Sequence, residues 1–339
     1  MQRAFLPTLG ACTVLSVIGG HVLAWMYGMH QPSLAPSFFI LSMGVIAFGA
    51  LVALGVYAVW LAVCEREPDP IPRVIAKIRI YLSVEFLARR ILPLALAFMF
   101  ISTFNTFKVF IPRINPFFLD GFLSDLDRWL FGSDAWRLTH AVIGPAGTRI
   151  LDVFYGLWFP AWLIAMLHFS LFASRDQQRR FYLSFLGIWA VLGIGLAIVL
   201  SSAGPCFLEL VHHPYAERYA GLFPIQDAPG AARAQEFLAE AYQSGEIGLA
   251  KGISAMPSVH VAIMALIVLA VRRYGRLLFT AALFMYLMIF IGSVHLGWHY
   301  VSDGVVGTAG AILLWRMTRS RTRVLALAQK PEAPQLIRS

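Results

Sequence analysis

Two short runs concentrate the reactive side chains of this chain: Lys251-Gly-Ile-Ser254-Ala-Met-Pro257-Ser258-Val-His260 and His295-Leu-Gly-Trp-His299-Tyr-Val-Ser-Asp303. Both are embedded in apolar sequence, where polar groups are expensive and mark function by default. His299 and Asp303 are spaced so that a helix places them on one face. An imidazole paired in this way can attack phosphorus through its other nitrogen, because the carboxylate orients the ring and stabilises the imidazolium. A second histidine, His260, suits the protonation of a departing alkoxide near neutral pH. Ser258, with the backbone N–H groups of a helix starting after Pro257, can cradle non-bridging oxygens as charge moves. Lys251, Ser254 and His295 complete the candidate substrate contacts. The chemistry that uses this whole set is phosphoryl transfer through a phosphohistidine, with no metal and no cofactor.

Each residue also has a structural use. Ser258 favours a helix N-cap, and Ser254 suits a cap or turn. His260 can be a buried structural histidine, His299–Asp303 a hydrogen-bonded pair, His295 an interfacial residue and Lys251 a solvated loop charge. Arg218 joins Lys251 and His295 as a nearby source of positive charge. Lys108, near the outer end of its span, is expected to snorkel. His212 and His213 resemble a metal pair but lack a supporting carboxylate. Two rival functions remain open. His295, His299 and Asp303, one turn apart each, would suit the metal of an intramembrane hydrolase or oxygenase, which leaves Pro-Ser-x-His unused. The polar cluster would also suit a transporter, although no internal repeat is visible.

The elements that position these residues must be membrane helices. Of 339 residues, 59% are hydrophobic and only 13% charged, with a mean hydropathy of +0.71. A soluble domain carries roughly 25% charged residues. Eight apolar stretches, near 7–27, 37–63, 91–111, 150–172, 181–201, 256–271, 277–294 and 300–316, approach or exceed the length of a helical span. Only helices satisfy their own backbone in lipid, so the expected fold is an all-α polytopic bundle. The first stretch follows Arg3 and also fits a signal peptide. Cys12, Cys64 and Cys206 are too few and too scattered for a disulfide framework or a cysteine zinc site.

A net charge of +9 and a pI near 9.7 might suggest nucleic acid as a partner. Alternating the spans instead puts most basic residues on one side, in groups such as Arg66–Arg90, Arg175–Arg180, Arg272–Arg276 and Arg316–Arg323. That bias sets orientation in a plasma or inner membrane, with both termini cytoplasmic and both reactive runs at the outer, periplasmic side. The expected organisation has three parts. Residues 1–90 hold two additional helices and a cytoplasmic amphipathic segment over 65–90. Residues 91–316 form a six-helix catalytic domain. Its outer loop, 202–255, contains a short helix from Ala231 to Tyr242 with a stripe of Phe237, Leu238, Ala241 and Tyr242. Residues 317–339 are a basic tail.

Pro257-Ser258-Val259-His260 followed by His299-x-x-x-Asp303 resembles the type-2 phosphatidic acid phosphatase superfamily, over roughly residues 91–316. The resemblance implies a metal-free six-helix core and a lipid phosphate or phosphodiester substrate. It also implies that His299, Asp303 and His260 are catalytic. Two departures stand out. Gly292 and Ser293 occupy the places of a motif Ser-Arg, and Ser201–Cys206 has no cation where a Lys and an Arg-Pro are usual. These losses, with Ser-x-Met-Pro-Ser-x-His and the His-Tyr before the aspartate, resemble the branch containing inositol phosphorylceramide synthase. That branch implies transfer of a phosphoinositol headgroup between lipids.

Overall fold

The computed structural model describes residues 5–28, 35–245 and 251–319. Most of the basic tail, from residue 320, and residues 246–250 of the outer loop lie outside the described residues. The described chain is all-α, without a strand. Its helices are α1 (Phe5–Met26), α2 (Ala35–Val63), α3 (Ile71–Tyr81), α4 (Val84–Ile114), α5 (Asp120–Phe131) and α6 (Ala135–Val142), followed by α7 (Pro145–Leu171) and α8 (Arg175–Val199). Then come α9 (Pro229–Ser244), α10 (Val259–Val271), α11 (Arg276–His295) and α12 (Val301–Met317).

Among the described residues, six helices are long and apolar enough to cross a membrane: α1, the Ser42–Val63 part of α2, α4, α7, α8 and α11. The stretches expected near 256–271 and 300–316 form helices of only 13 and 17 residues. Their shortness has a local cause. Pro257 and the turn at Leu296–His299 end regular helix early, which leaves the reactive runs at the helix starts.

One apolar core joins α4, α7, α8, α10, α11 and α12, through side chains such as Phe98, Trp162, Phe181, Met264, Ile289 and Ala311. Leu9, Thr13, Ser16, Gly20 and Ala24 of α1 make a buried, mostly small stripe. Thr13 donates to Leu96 O at 3.3 Å, which fixes that stripe on α4. By contrast, α2 exposes Phe48, Leu51, Val52, Val56 and Val59, as a helix bathed in lipid does. No residue of amphipathic α3 is buried.

The two ends of the bundle differ in chemistry. At one end Arg90 donates to Ala173 O (2.7 Å), Arg179 to Thr318 O (3.0 Å) and Arg180 to Trp315 O (2.7 Å). These guanidiniums cap the C-terminal carbonyls of α7 and α12, where positive charge is favoured. At the other end a second apolar cluster, including Leu123, Phe207, Leu222, Ile225, Met256, Leu296 and Tyr300, joins α5 and α6 to the 202–255 loop.

Helix α9 is longer than the expected 231–242 helix and is rotated relative to the expected stripe. Ala231, Gln235, Ala239 and Ala241 face inward, while Phe237 and Tyr242 are exposed. Polar anchors set that rotation. The Asp152 carboxylate accepts from the Gly230 and Ala231 N–H groups at 2.8 and 2.7 Å. Gln235 bridges Ile225 N–H (3.1 Å) and Leu296 O (3.0 Å).

Candidate active site

The seam between the two apolar clusters holds both reactive runs. Tyr300 caps the start of α12, so Asp303 falls in its first turn, where the helix dipole favours a carboxylate. Asp303 Oδ2 accepts from His299 Nδ1 and from Tyr300 N–H, each at 3.1 Å. The His299 backbone N–H is held by Ser293 O at 3.0 Å. Nδ1 is therefore the ring nitrogen that the carboxylate engages, and Nε2 is not part of that bond.

His260 lies in the first turn of α10, and its ring centroid lies 6.3 Å from that of His299. Tyr155 and Trp158 flank it, with centroids at 5.3 and 4.1 Å. Trp158 also donates its indole N–H to His260 O at 3.1 Å. These two aromatic side chains pack against the imidazole. Ser258 caps α10, accepting from Val261 N–H at 3.4 Å, and its own N–H donates to Asp303 O at 3.1 Å. That last bond ties the start of α10 to the start of α12, so the two motifs form one unit.

A buried polar framework, which sequence reasoning passed over, comes from α5. Asp120, Ser124 and Asp127 point inward at 0%, 0% and 2% exposure, whereas Phe122 and Trp129 are 62% and 79% exposed. The buried face thus carries Asp120, Leu123, Ser124 and Asp127, while Phe122, Asp125 and Trp129 lie on the exposed one. Asp120 accepts from Ser202 Oγ, Ala203 N–H, Gly204 N–H and Tyr300 OH at 3.1, 2.8, 2.9 and 3.2 Å. Asp127 accepts the Val301 N–H at 3.1 Å and so caps α12 from outside. Burial pushes the Asp127 carboxyl up to about 6, opposed by the Val301 N–H and assisted by the neighbouring charges of Asp303 and Asp134. The signal was legible in principle: polar residues at 120, 124 and 127 alternate with Phe118, Phe122 and Trp129 at helical spacing.

The remaining candidates lie apart from this pair. Both ring nitrogens of His295 are occupied, Nε2 by Thr148 Oγ1 at 2.9 Å and Nδ1 by Thr139 Oγ1 at 3.0 Å. His140 stacks on it at 4.0 Å. This geometry does not assemble His295, His299 and Asp303 into the ligand set that the metal reading needs, and no grouping of three such side chains occurs among the described residues. Lys251 lies over the Phe237 ring at 5.7 Å, and Ser254 is half-buried in the same loop. Arg218 is committed to Asp134 and to Asp125, the latter at 3.1 Å. Ser293 is buried, and its hydroxyl donates to Phe290 O at 2.7 Å, so this place has no room for an arginine.

A multi-pass all-α bundle thus brings a His–Asp pair and a second histidine to one end. The PAP2 superfamily model matches residues 121–317, more than half of the chain, and the protein belongs to that superfamily, whose members are phosphatases. No curated protein and no solved structure matches the chain.

Proposed function

We propose that this protein is a lipid phosphatase or phosphotransferase acting at the outer membrane face through a phosphohistidine on His299. The reading rests on one observation: the tilted His299 and His260 rings lie with their centroids 6.3 Å apart, and Asp303 engages Nδ1 of His299. The Nε2 lone pair of His299 attacks phosphorus. The bond from phosphorus to the leaving alkoxide breaks, and protonated His260 gives that oxygen its proton. Asp303 stabilises the resulting charge on His299 through Nδ1–H. Water or an alcohol then attacks phosphorus and loses its proton to His260, and the P–N bond electrons return to His299.

The absence of cations at Gly292-Ser293 and Ser201–Cys206 favours a donor with one negative charge over a phosphomonoester dianion. A phosphodiester lipid, such as one bearing phosphoinositol, meets that requirement. An acceptor alcohol would make the protein a headgroup transferase. Purified protein should show a higher kcat/KM with phosphodiester lipids than with phosphatidic acid, and His299→Ala should reduce turnover to background. Rapid quenching with labelled donor should trap acid-labile, base-stable phosphate on the wild-type chain. Wild-type turnover by His299→Ala would refute the mechanism; better use of phosphatidic acid would refute the donor class.

A further inference from the structure

Phosphoryl chemistry at His299 needs a cation for the non-bridging oxygens, and the family's usual arginine is missing. Arg218 is held by two carboxylates. A different basic residue, on a helix outside the matched family region, stands beside the site. Lys108 lies on α4, six residues below its end at Ile114, or about 9 Å along the axis. The residue is half-buried, and no hydrogen bond or ion pair holds its ammonium among the described residues.

Packing fixes where Lys108 sits. One turn below it, Phe104 meets α8 and the start of α10: a Cβ on Gly193 would lie 2.9 Å from Phe104 and 3.3 Å from Val259. At the level of Lys108 itself, the loop leading to Pro257 lies directly on α4. Gly252, at φ +97°, is close enough that a Cβ there would lie 2.9 Å from the Lys108 carbonyl carbon. The face of α4 bearing Phe104 and Lys108 therefore turns toward the segment 252–260. An ammonium without a counter-ion at membrane depth is costly, and that cost is recovered when an anion arrives.

We propose that Lys108 is the phosphate-binding cation of this site, its ammonium donating to a non-bridging oxygen of the phosphoryl group held between His260 and His299. The assignment rests on the phosphohistidine reading. One fixed positive charge also matches a phosphodiester, which carries one negative charge.

The test uses the full chain in detergent micelles with orthovanadate, whose binding requires no turnover. Wild type should be stabilised against thermal unfolding by vanadate. Lys108→Met should weaken the apparent Kd by about tenfold or more, and Lys108→Arg should hold it within about threefold. On a phosphodiester lipid, kcat/KM should fall about 10²–10³-fold in Lys108→Met. The melting midpoint without vanadate should hold or rise, since an unpaired charge is removed. Lys108→Gln carries the same expectations should the Met variant fail to fold. Unchanged vanadate affinity and unchanged kcat/KM in these neutral variants would overturn the assignment and leave Lys108 as a snorkelling residue. His299→Ala separates the two readings. If it abolishes turnover while the Lys108 variants match wild type, only the assignment falls. If it turns over normally, or if wild type binds no vanadate, the phosphohistidine reading falls as well.

Discussion

The His299–Asp303 bond and its neighbour Asp127 place two carboxylates at the start of one helix, and each keeps a buried oxygen without a hydrogen-bond partner among the described residues. That arrangement would hold negative charge against the imidazolium of the proposed mechanism, but it costs stability. The Asp127 pKa of about 6 lies above the 3.8 of an unperturbed aspartate. The protonated form is therefore favoured by folding, and the stabilisation it brings is complete below about pH 4 and lost as pH rises through about 6. Asp127→Asn keeps an oxygen for the Val301 N–H and removes the charge. At pH 7.5 it should raise unfolding stability by up to about 2–3 kcal/mol, with little gain at pH 4. Thermal melts of both proteins across pH 4–8 check this. Parallel pH profiles would mean that Asp127 does not titrate as its surroundings indicate.

At the scale of elements, the site depends on α5 and on the close crossing of α10 and α12. Asp120 gathers four donors from two distant segments, so Asp120→Ala leaves several buried N–H and O–H groups unsatisfied. It should lower stability by about 3 kcal/mol or more and loosen the 202–204 turn beside Tyr300. Chemical denaturation in detergent measures the loss; a change within about 0.5 kcal/mol would contradict the role given to α5. The crossing depends on Gly307, where a Cβ would lie 2.5 Å from the Ser258 backbone carbonyl. Gly310 provides the control, since a Cβ there meets the end of the Leu192 side chain at 2.7 Å, which can rotate. Gly307→Ala should therefore cost more stability and more activity than Gly310→Ala, because displacing Ser258 moves His260. Equal costs would show that the two helices separate freely.

For the whole molecule, the distribution of charge suggests sidedness. The arginines that cap α7 and α12 lie at the end opposite to His260 and His299, and positive-inside sorting would put that end in the cytoplasm. In a background without Cys12, Cys64 and Cys206, a cysteine at Ser244 should react with an impermeant thiol reagent added to intact cells. A cysteine at Gly275 should react only after permeabilisation. The reverse pattern would place the histidines at the cytoplasmic face and overturn the proposed localisation.

The sequence by itself determined the solvent and the nearest partner of His299. Hydropathy required lipid-embedded helices, and the contact of His299 with Asp303 is equally local, although His299 lies ahead of α12 and the bond forms at the helix cap rather than along one helical face as the spacing predicts. Pro257 and Ser258 likewise announced the start of α10. Tertiary structure decided which distant groups join that pair. His260 meets His299 because Ser258 bonds to the backbone of Asp303, and His295 faces Thr139 and Thr148 because α6 and α7 fold over it. Asp120 and Asp127 point inward because their N–H and O–H partners come from the 202–204 turn and α12. The direction of Lys108 was equally undetermined, since snorkelling to water and facing a phosphate use the same side chain at the same depth. Local spacing encodes what one helix can do. Which face meets which neighbour depends on burying apolar surface and satisfying polar groups across the whole bundle.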